Sequence, residues 1–272
     1  MKGELIYNVK KYIVLFFVFS FYKIVLIGSG NVATVLGRLF IKNGHTIQSV
    51  ISQNIDHAKT LADEFLSEYN NFSKPINMDC DLVIISVSDY GIENIITEII
   101  DKRKPVVHTS GSVSKDILKK YSDNYGVLYP LQTIRKEMET IPLIPFLVDG
   151  SSEEMTIFLE KFAQTVSDNV QRASDEQRCK MHLAAVIASN FSNYMYCLAE
   201  EYCINEKVDF NILKPLILET ANRVQQNSPC SLQTGPAIRK DIQTMDKHLR
   251  LLTTYPKLRT TYLRITDSIM NP

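Results

Sequence analysis

One segment restricts the fold more than any other. In residues 23–33, KIVLIGSGNVA, a run of largely β-branched apolar residues ends in Gly28-Ser29-Gly30-Asn31-Val32-Ala33 and passes directly into a helical pattern over 32–43. A second apolar run follows at 46–52. Strand, glycine turn, helix and strand in that order begin a β-α-β unit. In such a turn Gly28 permits the tight bend and Gly30 lets backbone amides approach a pyrophosphate. Ala33 allows the helix to lie close to the strand, and the helix N-terminus supplies partial positive charge. The six residues therefore predict a dinucleotide site. Outside this context they would be only a strand-to-helix turn.

Further apolar runs at 81–87, 105–109, 126–129 and 145–148 alternate with helix candidates at 57–67, 91–100 and 115–121. Continuous rather than alternating apolar runs imply strands buried on both faces, as in a parallel sheet covered by helices. After residue 150 the strand signals stop, and helices are expected at 175–202, 211–226, 236–252 and 256–270. The expectation is an α/β Rossmann-type parallel sheet domain over 23–150, followed by an all-α domain over 151–272 for substrate binding and dimerisation. With 272 residues, 45% of them hydrophobic, the chain is long enough for a compact core. Its 30 basic and 30 acidic side chains cancel, which argues against nucleic acid or an anionic membrane as partner and favours a small-molecule substrate or protein association.

Five cysteines with no CxxC pair and no metal-ligand spacing predict reduced thiols in a cytoplasmic protein, and no metal site. Residues 1–22 form an apolar N-terminal extension in which Lys10 and Lys11 precede the run 12–22. That order resembles a signal peptide, yet no cleavage site intervenes before the first strand, and the run is too short to span a bilayer. The readings are an upstream start codon, which is preferred, a membrane-surface tether, or a signal anchor.

The end of the second strand should select the dinucleotide, since an acid there binds the adenosine ribose hydroxyls and repels a 2′-phosphate. Ser52-Gln53-Asn54 stand in that place. They remove the carboxylate that favours NAD without supplying an arginine for NADP, so the reading leans to NADP; Asp56 comes late and suits a helix N-cap equally. Ser88 in Val87-Ser88-Asp89 lies at the carboxyl edge of the third long strand, with Asp89 suited to an N-cap. Ser110, in the small-residue segment 108–112, either borders the nicotinamide or belongs to a plain turn.

In the helical half, eleven residues at about 100° each bring His182 and Asn193 to one face, with Ser189 and Glu200 near the same line and Asn190 about 80° away. This stripe makes His182 a candidate proton donor and Asn190 and Asn193 substrate-orienting amides; alternatively they are hydrogen-bonded groups of a core or interface. Thr234 suits a helix N-cap with Pro236 just inside, which would place Arg239 in the first turns as an anion site for substrate. Arg239 can instead pair with Asp246.

The segments GSGNVA, SVSD, VVHTSGS, GVLYPLQT, RCKMHLAAVIASNFSNYMY, LKPLILET and LQTGPAIRKDIQTMDKHLRLL together resemble the Rossmann-like proteins that carry the C-terminal domain of unknown function 2520. The resemblance runs over 23–270. It implies a helical domain like that of 6-phosphogluconate dehydrogenases and pyrroline-5-carboxylate reductases, dimerisation through the helices, and NADP-dependent oxidoreductase chemistry with no assigned substrate. It also implies that Gly28, Gly30, Asn31 and Ala33 fall on the cofactor loop, Ser88 and Ser110 beside it, and His182, Asn190 and Asn193 in the cleft between domains. Related sequences often have Ser-Arg at Ser52-Gln53 and His-Pro at Tyr129-Pro130. The Lys-x-x-x-Asn pair of β-hydroxyacid dehydrogenases is absent, Lys180 and Asn190 being ten apart. The expected activity is hydride transfer between nicotinamide and a small carbonyl, imine or hydroxy compound; the alternative is a dinucleotide-binding sensor or scaffold without catalysis.

Overall fold

The computed structural model describes residues 21–73, 76–95 and 101–272, so most of the N-terminal apolar run lies outside the described residues. The apolar runs form one sheet in the order β3-β2-β1-β4-β5-β6-β7-β8. Its strands β1 (Lys23–Ile27), β2 (Thr46–Ile51), β3 (Glu68–Asn70), β4 (Leu82–Ile85), β5 (Val106–His108) and β6 (Tyr125–Pro130) are parallel. Strand β7 (Phe146–Gly150) returns antiparallel to β6, and β8 (Val170–Arg172) runs parallel to β7.

The period of two along a strand sorts the central residues into two cores. Ile24 and Leu26 of β1, with Leu82 and Ile84 of β4, pack with Leu36, Phe40, Leu61 and Phe162 from α1 (Asn31–Lys42), α2 (Ile55–Phe65) and α4 (Glu153–Gln164). Val25, Ile27, Val83 and Ile85 point to the other side, against Ile92 of α3 (Asp89–Ile95), Leu118 and Tyr121. This two-sided burial is the reason the strands read as unbroken apolar runs. The chain moves outward from β1 through β2 to β3 and then resumes at β4 on the opposite side of β1. The strand order thus reverses between β1 and β4, the point where open α/β sheets bind ligands beyond the strand ends.

Several expected boundaries change. The sheet continues past residue 150 because α4 and β8 pack onto it, and the compact unit containing it closes at Ser189, with 190–272 as a second unit. Strands β3 (EYN) and β8 (VQR) are short and mostly polar, so they do not register as apolar runs. The helix expected at 91–100 starts at Asp89, and its residues 96–100 lie outside the described residues; 115–121 shortens to a 3-10 turn, Lys115–Leu118.

The helix expected over 175–202 consists of α5 (Asp175–Ala185), a π-helical turn Val186–Phe191 and α6 (Ser192–Asn205). A π turn holds more residues than an α turn, so it resets the helical phase and removes the basis for placing His182 and Asn193 on one face. In the second unit α6 is followed by α7 (Lys214–Val224), α8 (Ile242–Leu251) and α9 (Pro256–Met270). Helix α8 begins at Ile242 rather than Pro236, because Gly235 and Lys240 take positive φ (105° and 53°) and the chain turns between them. Asp241 is the cap, accepting from the Thr244 amide (3.1 Å) and hydroxyl (2.7 Å), so Thr234 caps nothing and Arg239 lies outside the helix. Asp246 pairs with Arg250 at 2.7 Å rather than with Arg239. Among the described residues no helix is long and apolar enough to cross a membrane.

Candidate active site

At the carboxyl ends of β1 and β4 lies a cleft of about 400 Å³, lined by residues 28–32, by Ser52 and Gln53 beyond β2, and by Ser86, Val87, Ser88 and Gly91 beyond β4. Gly28 holds φ at 124° while its amide donates to Ile51 O at 2.7 Å; a Cβ there would stand 2.8 Å from the Ser86 carbonyl carbon. Gly30 is the N-cap of α1 and supplies no capping side chain, and the first turn carries no acid. A Cβ on Gly30 would meet nothing within 4 Å, so the space it would enter belongs to the cleft. First-turn amides without a capping side chain, at the positive end of the helix dipole and facing a space kept clear by a glycine, fit a diphosphate.

Ser29 ties this loop to β2 by donating to Ser52 Oγ at 2.9 Å, and Asn31 Oδ1 accepts from the Lys136 amide at 3.2 Å. Ala33 is fully buried under the loop, where it allows α1 to approach the sheet. At the end of β2, Asn54 caps α2 by accepting from the amides of Asp56 and His57, both at 3.0 Å; Asp56 is therefore a first-turn residue and not the cap. No carboxylate lines this end of the cleft. Beyond Ser29 a second cleft of about 380 Å³ contains Arg38, His57 and Lys136. Arg38 is committed there, with two bonds to Glu64 (2.6 and 3.1 Å) and one to Lys136 O (2.6 Å).

On the other side of β4 the loop after β5 is fixed by its own hydroxyls. Ser110 Oγ accepts from the amides of Ser112 (3.2 Å) and Val113 (3.1 Å), so Ser110 builds the turn and does not line the cleft. Ser112 Oγ donates to Asp89 at 2.5 Å, giving that carboxylate a loop partner. His108 is fully buried, its Nδ1 accepting from the Ser110 amide (3.2 Å) and its Nε2 facing Ser114 O (3.3 Å), an arrangement that assigns the proton to Nε2. Burial, followed by the nearby Arg178 charge, depresses its pKa to about 4.

Helix α5 stands against this loop. Asp175 accepts from Ser114 Oγ and from the Lys115 amide (3.2 Å), and buried Arg178 donates to Val113 O while pairing with Asp175 at 2.8 Å. One turn on, His182 Nδ1 shares a 2.8 Å hydrogen bond with the Tyr129 hydroxyl, the rings edge-to-face with centroids 5.8 Å apart. Gly111 lies directly against both rings, where a Cβ would come within 2.7 Å of His182 Nδ1 and 2.9 Å of Tyr129 Cζ. Burial raises the Tyr129 pKa, the Arg178 charge opposing that rise and Asp89 adding to it.

Of the residues selected from sequence, Gly28, Ser29, Gly30, Asn31, Val32, Ser52, Gln53 and Ser88 share one cleft. His182 belongs to the first unit, whereas Asn190 in the π turn and Asn193 in α6 belong to the second and are exposed. Asn193 has the Cys197 sulfur 3.9 Å from its amide, and Ser189 bonds Thr133 at 2.6 Å. Thr234 and Arg239 are exposed on the turn before α8. Sequence reasoning did not select Tyr129 or Arg178. The available signal was the four-residue spacing of Arg178 and His182, which puts them on one helix face.

Residues 23–111 match the family model of coenzyme F420-dependent NADP oxidoreductases, and residues 144–269 match the domain of unknown function 2520. A Bacteroides fragilis protein provisionally described as an NADP oxidoreductase is 36% identical, with 93% of this chain and 100% of that one covered at a TM-score of 0.86. Pyrroline-5-carboxylate reductase from Streptococcus pyogenes shares the fold at 13% identity (92% and 99% covered, TM-score 0.60). An imine reductase from Myxococcus stipitatus, solved with NADP+, does so at 12% (91% and 91% covered, TM-score 0.63). No curated protein matches the chain. With its switch-point cleft, its glycine loop and a relative matched along nearly its whole length, the chain belongs to the Rossmann-like NADP oxidoreductase family that carries the C-terminal domain of unknown function 2520.

Proposed function

We propose that the chain is an NADP-dependent oxidoreductase that moves a hydride between nicotinamide and a small carbonyl, imine or hydroxy compound. The observation that carries this reading is the α1 N-terminus, without a capping side chain or a first-turn acid and opening on the clear space at Gly30. The dinucleotide, when bound, supplies the hydride-transfer chemistry. The chain's own residues bind and orient it: the α1 amides and Ser29 take the diphosphate, and Ser52 and Gln53 receive an adenosine 2′-phosphate without a repelling carboxylate. His182, hydrogen-bonded through Nδ1, handles the proton. Asn190 and Asn193 are exposed on the second unit, and their proposed role in orienting a polar substrate rests on the family resemblance. Thr234 and Arg239 lie away from a helix start, so the geometry that suggested an anion site there is lost. Five free thiols suit the reducing cytoplasm, and a second copy of the chain would pair through the helical unit.

Titration of the purified chain with NADPH and NADH, followed by nicotinamide fluorescence, tests the reading. NADPH should bind, and more tightly than NADH. If neither binds at submillimolar concentration, the proposal fails at its foundation.

A further inference from the structure

Arg178 heads the fully buried side chains by size among the described residues, at 1% exposed, yet its guanidinium is only partly used. Nη2 serves Val113 O and Asp175, while Nε and Nη1 are buried with no hydrogen-bond partner. Buried donors without partners destabilise the folded chain, so such a group calls for a specific explanation. Its charge acts on His108 and on Tyr129. Tyr129, 9% exposed, meets His182 Nδ1 at 2.8 Å, and His182 is partly exposed. Both rings lie against Gly111, in the loop after β5. That loop is on the side of the switch point away from β2, toward which the nicotinamide half of a dinucleotide laid across β1 and β4 extends.

We infer that Tyr129 gives the proton to the substrate, that His182 is its proton source, and that Arg178 is a positioning residue whose partly unpaired charge steadies the phenolate formed between the two transfers. The inference rests on the oxidoreductase reading. In the reducing direction the Tyr129 O–H bond breaks as its proton passes to the substrate oxygen or nitrogen. The phenolate oxygen then takes the proton from Nδ1 of protonated His182. His182 is left neutral and regains a proton from solvent, so the protein ends with the charge it began with. The charged and titratable groups that act on the phenol are Asp89 on α3, and Arg178 and His182 on α5; Asp89 opposes the phenolate and Arg178 favours it.

Fluorine NMR of the full chain with difluorotyrosine at every tyrosine tests this, because fluorination lowers phenol ionisation into a range where the chain stays folded. The signal lost in Tyr129→Phe belongs to Tyr129. Arg178→Met should weaken Tyr129 ionisation about tenfold, one pH unit, and Arg178→Lys should largely restore it. An unmoved midpoint in folded Arg178→Met overturns the role of Arg178. Should that variant not fold, Asp89→Asn provides the second measure: the midpoint should fall, and no change overturns the electrostatic argument. Tyr129→Phe should also shift the nitrogen resonance of His182 Nδ1, and an unchanged resonance overturns the pairing. These measurements need no cofactor, so absent NADPH binding would fail the oxidoreductase reading separately. With NADPH and a five-membered cyclic imine as probe, Tyr129→Phe should lose about a hundredfold or more in kcat. His182→Ala should lose less and recover with added imidazole; the reverse order makes His182 the direct donor and overturns the assignment.

Discussion

A methyl group added at Gly28 would be driven into the Ser86 carbonyl at a positive φ, whereas one added at Gly30 would stand in open space. The two glycines of the same motif therefore fail differently. Gly28→Ala should lower unfolding stability by about 1–3 kcal/mol, read from the denaturant midpoint, because strain and collision act on the folded chain itself. Gly30→Val should leave the thermal midpoint within a few degrees while weakening NADPH binding more than tenfold. Wild-type affinity in Gly30→Val would mean that no diphosphate lies there. Ser52→Asp places a carboxylate at the end of β2, where it would bond ribose hydroxyls and repel a 2′-phosphate. The ratio of NADPH to NADH affinity should drop at least tenfold, and an unchanged ratio would remove Ser52 from cofactor selection. The positions of these residues at one cleft were legible in the sequence because each is placed by its own stretch of backbone. Tyr129 and Arg178 were not, since their roles arise only where β6, the loop after β5 and α5 meet.

Elements show the same division. The strands β1, β2 and β4 were legible because they are buried on both faces, and α1 because its motif and apolar spacing agree. The π turn at Val186–Phe191 was not, as nothing in the residue order marks the wider turn that shifts α6 out of phase with α5. The start of α8 was readable in part: Asp241 and Thr244 have capping spacing, but Pro236 offered a competing start. The packing of β5 against its loop and α5 has a pH consequence. His108 stays neutral in the folded chain down to about pH 4, whereas an unfolded histidine titrates near pH 6.5. Below pH 6.5 the unfolded state therefore binds a proton that the folded state refuses. The stability from a neutral His108 is fully present above that pH and is lost as pH falls toward 4. Between pH 7 and pH 5 the loss is about 2 kcal/mol from this residue. His45, depressed by burial, works in the same direction. Urea unfolding at the two pH values measures the loss; His108→Gln should shrink it, and an equal slope in wild type and variant would assign the acid sensitivity elsewhere.

At the scale of the whole molecule the two units are unequal in what they bury. The sheet unit has two large apolar cores, whereas in 190–272 the buried apolar residues are Leu198, Cys203, Ala237, Met245 and Leu252. Helices α7 and α9 bury no residue at all. Leu216 and Leu218, two positions and so about 200° apart around α7, are both more than 60% exposed. A helix apolar and uncovered on nearly opposite sides leaves much of its surface without a partner in its own unit, and so small a core gives little to offset the entropy of ordering the chain. Ile204, Ile212, Ile242 and Leu251 extend the exposed apolar surface across the other helices of this unit. We propose that a second copy of the chain packs on this surface and supplies the missing core. Light scattering on the purified chain should give twice the 31.0 kDa of one copy. The unfolding temperature should rise with protein concentration, because association adds stability by mass action. A particle of 31.0 kDa with a concentration-independent midpoint would show that the helical unit stands without a partner, and the five buried residues would then have to account for its folding alone.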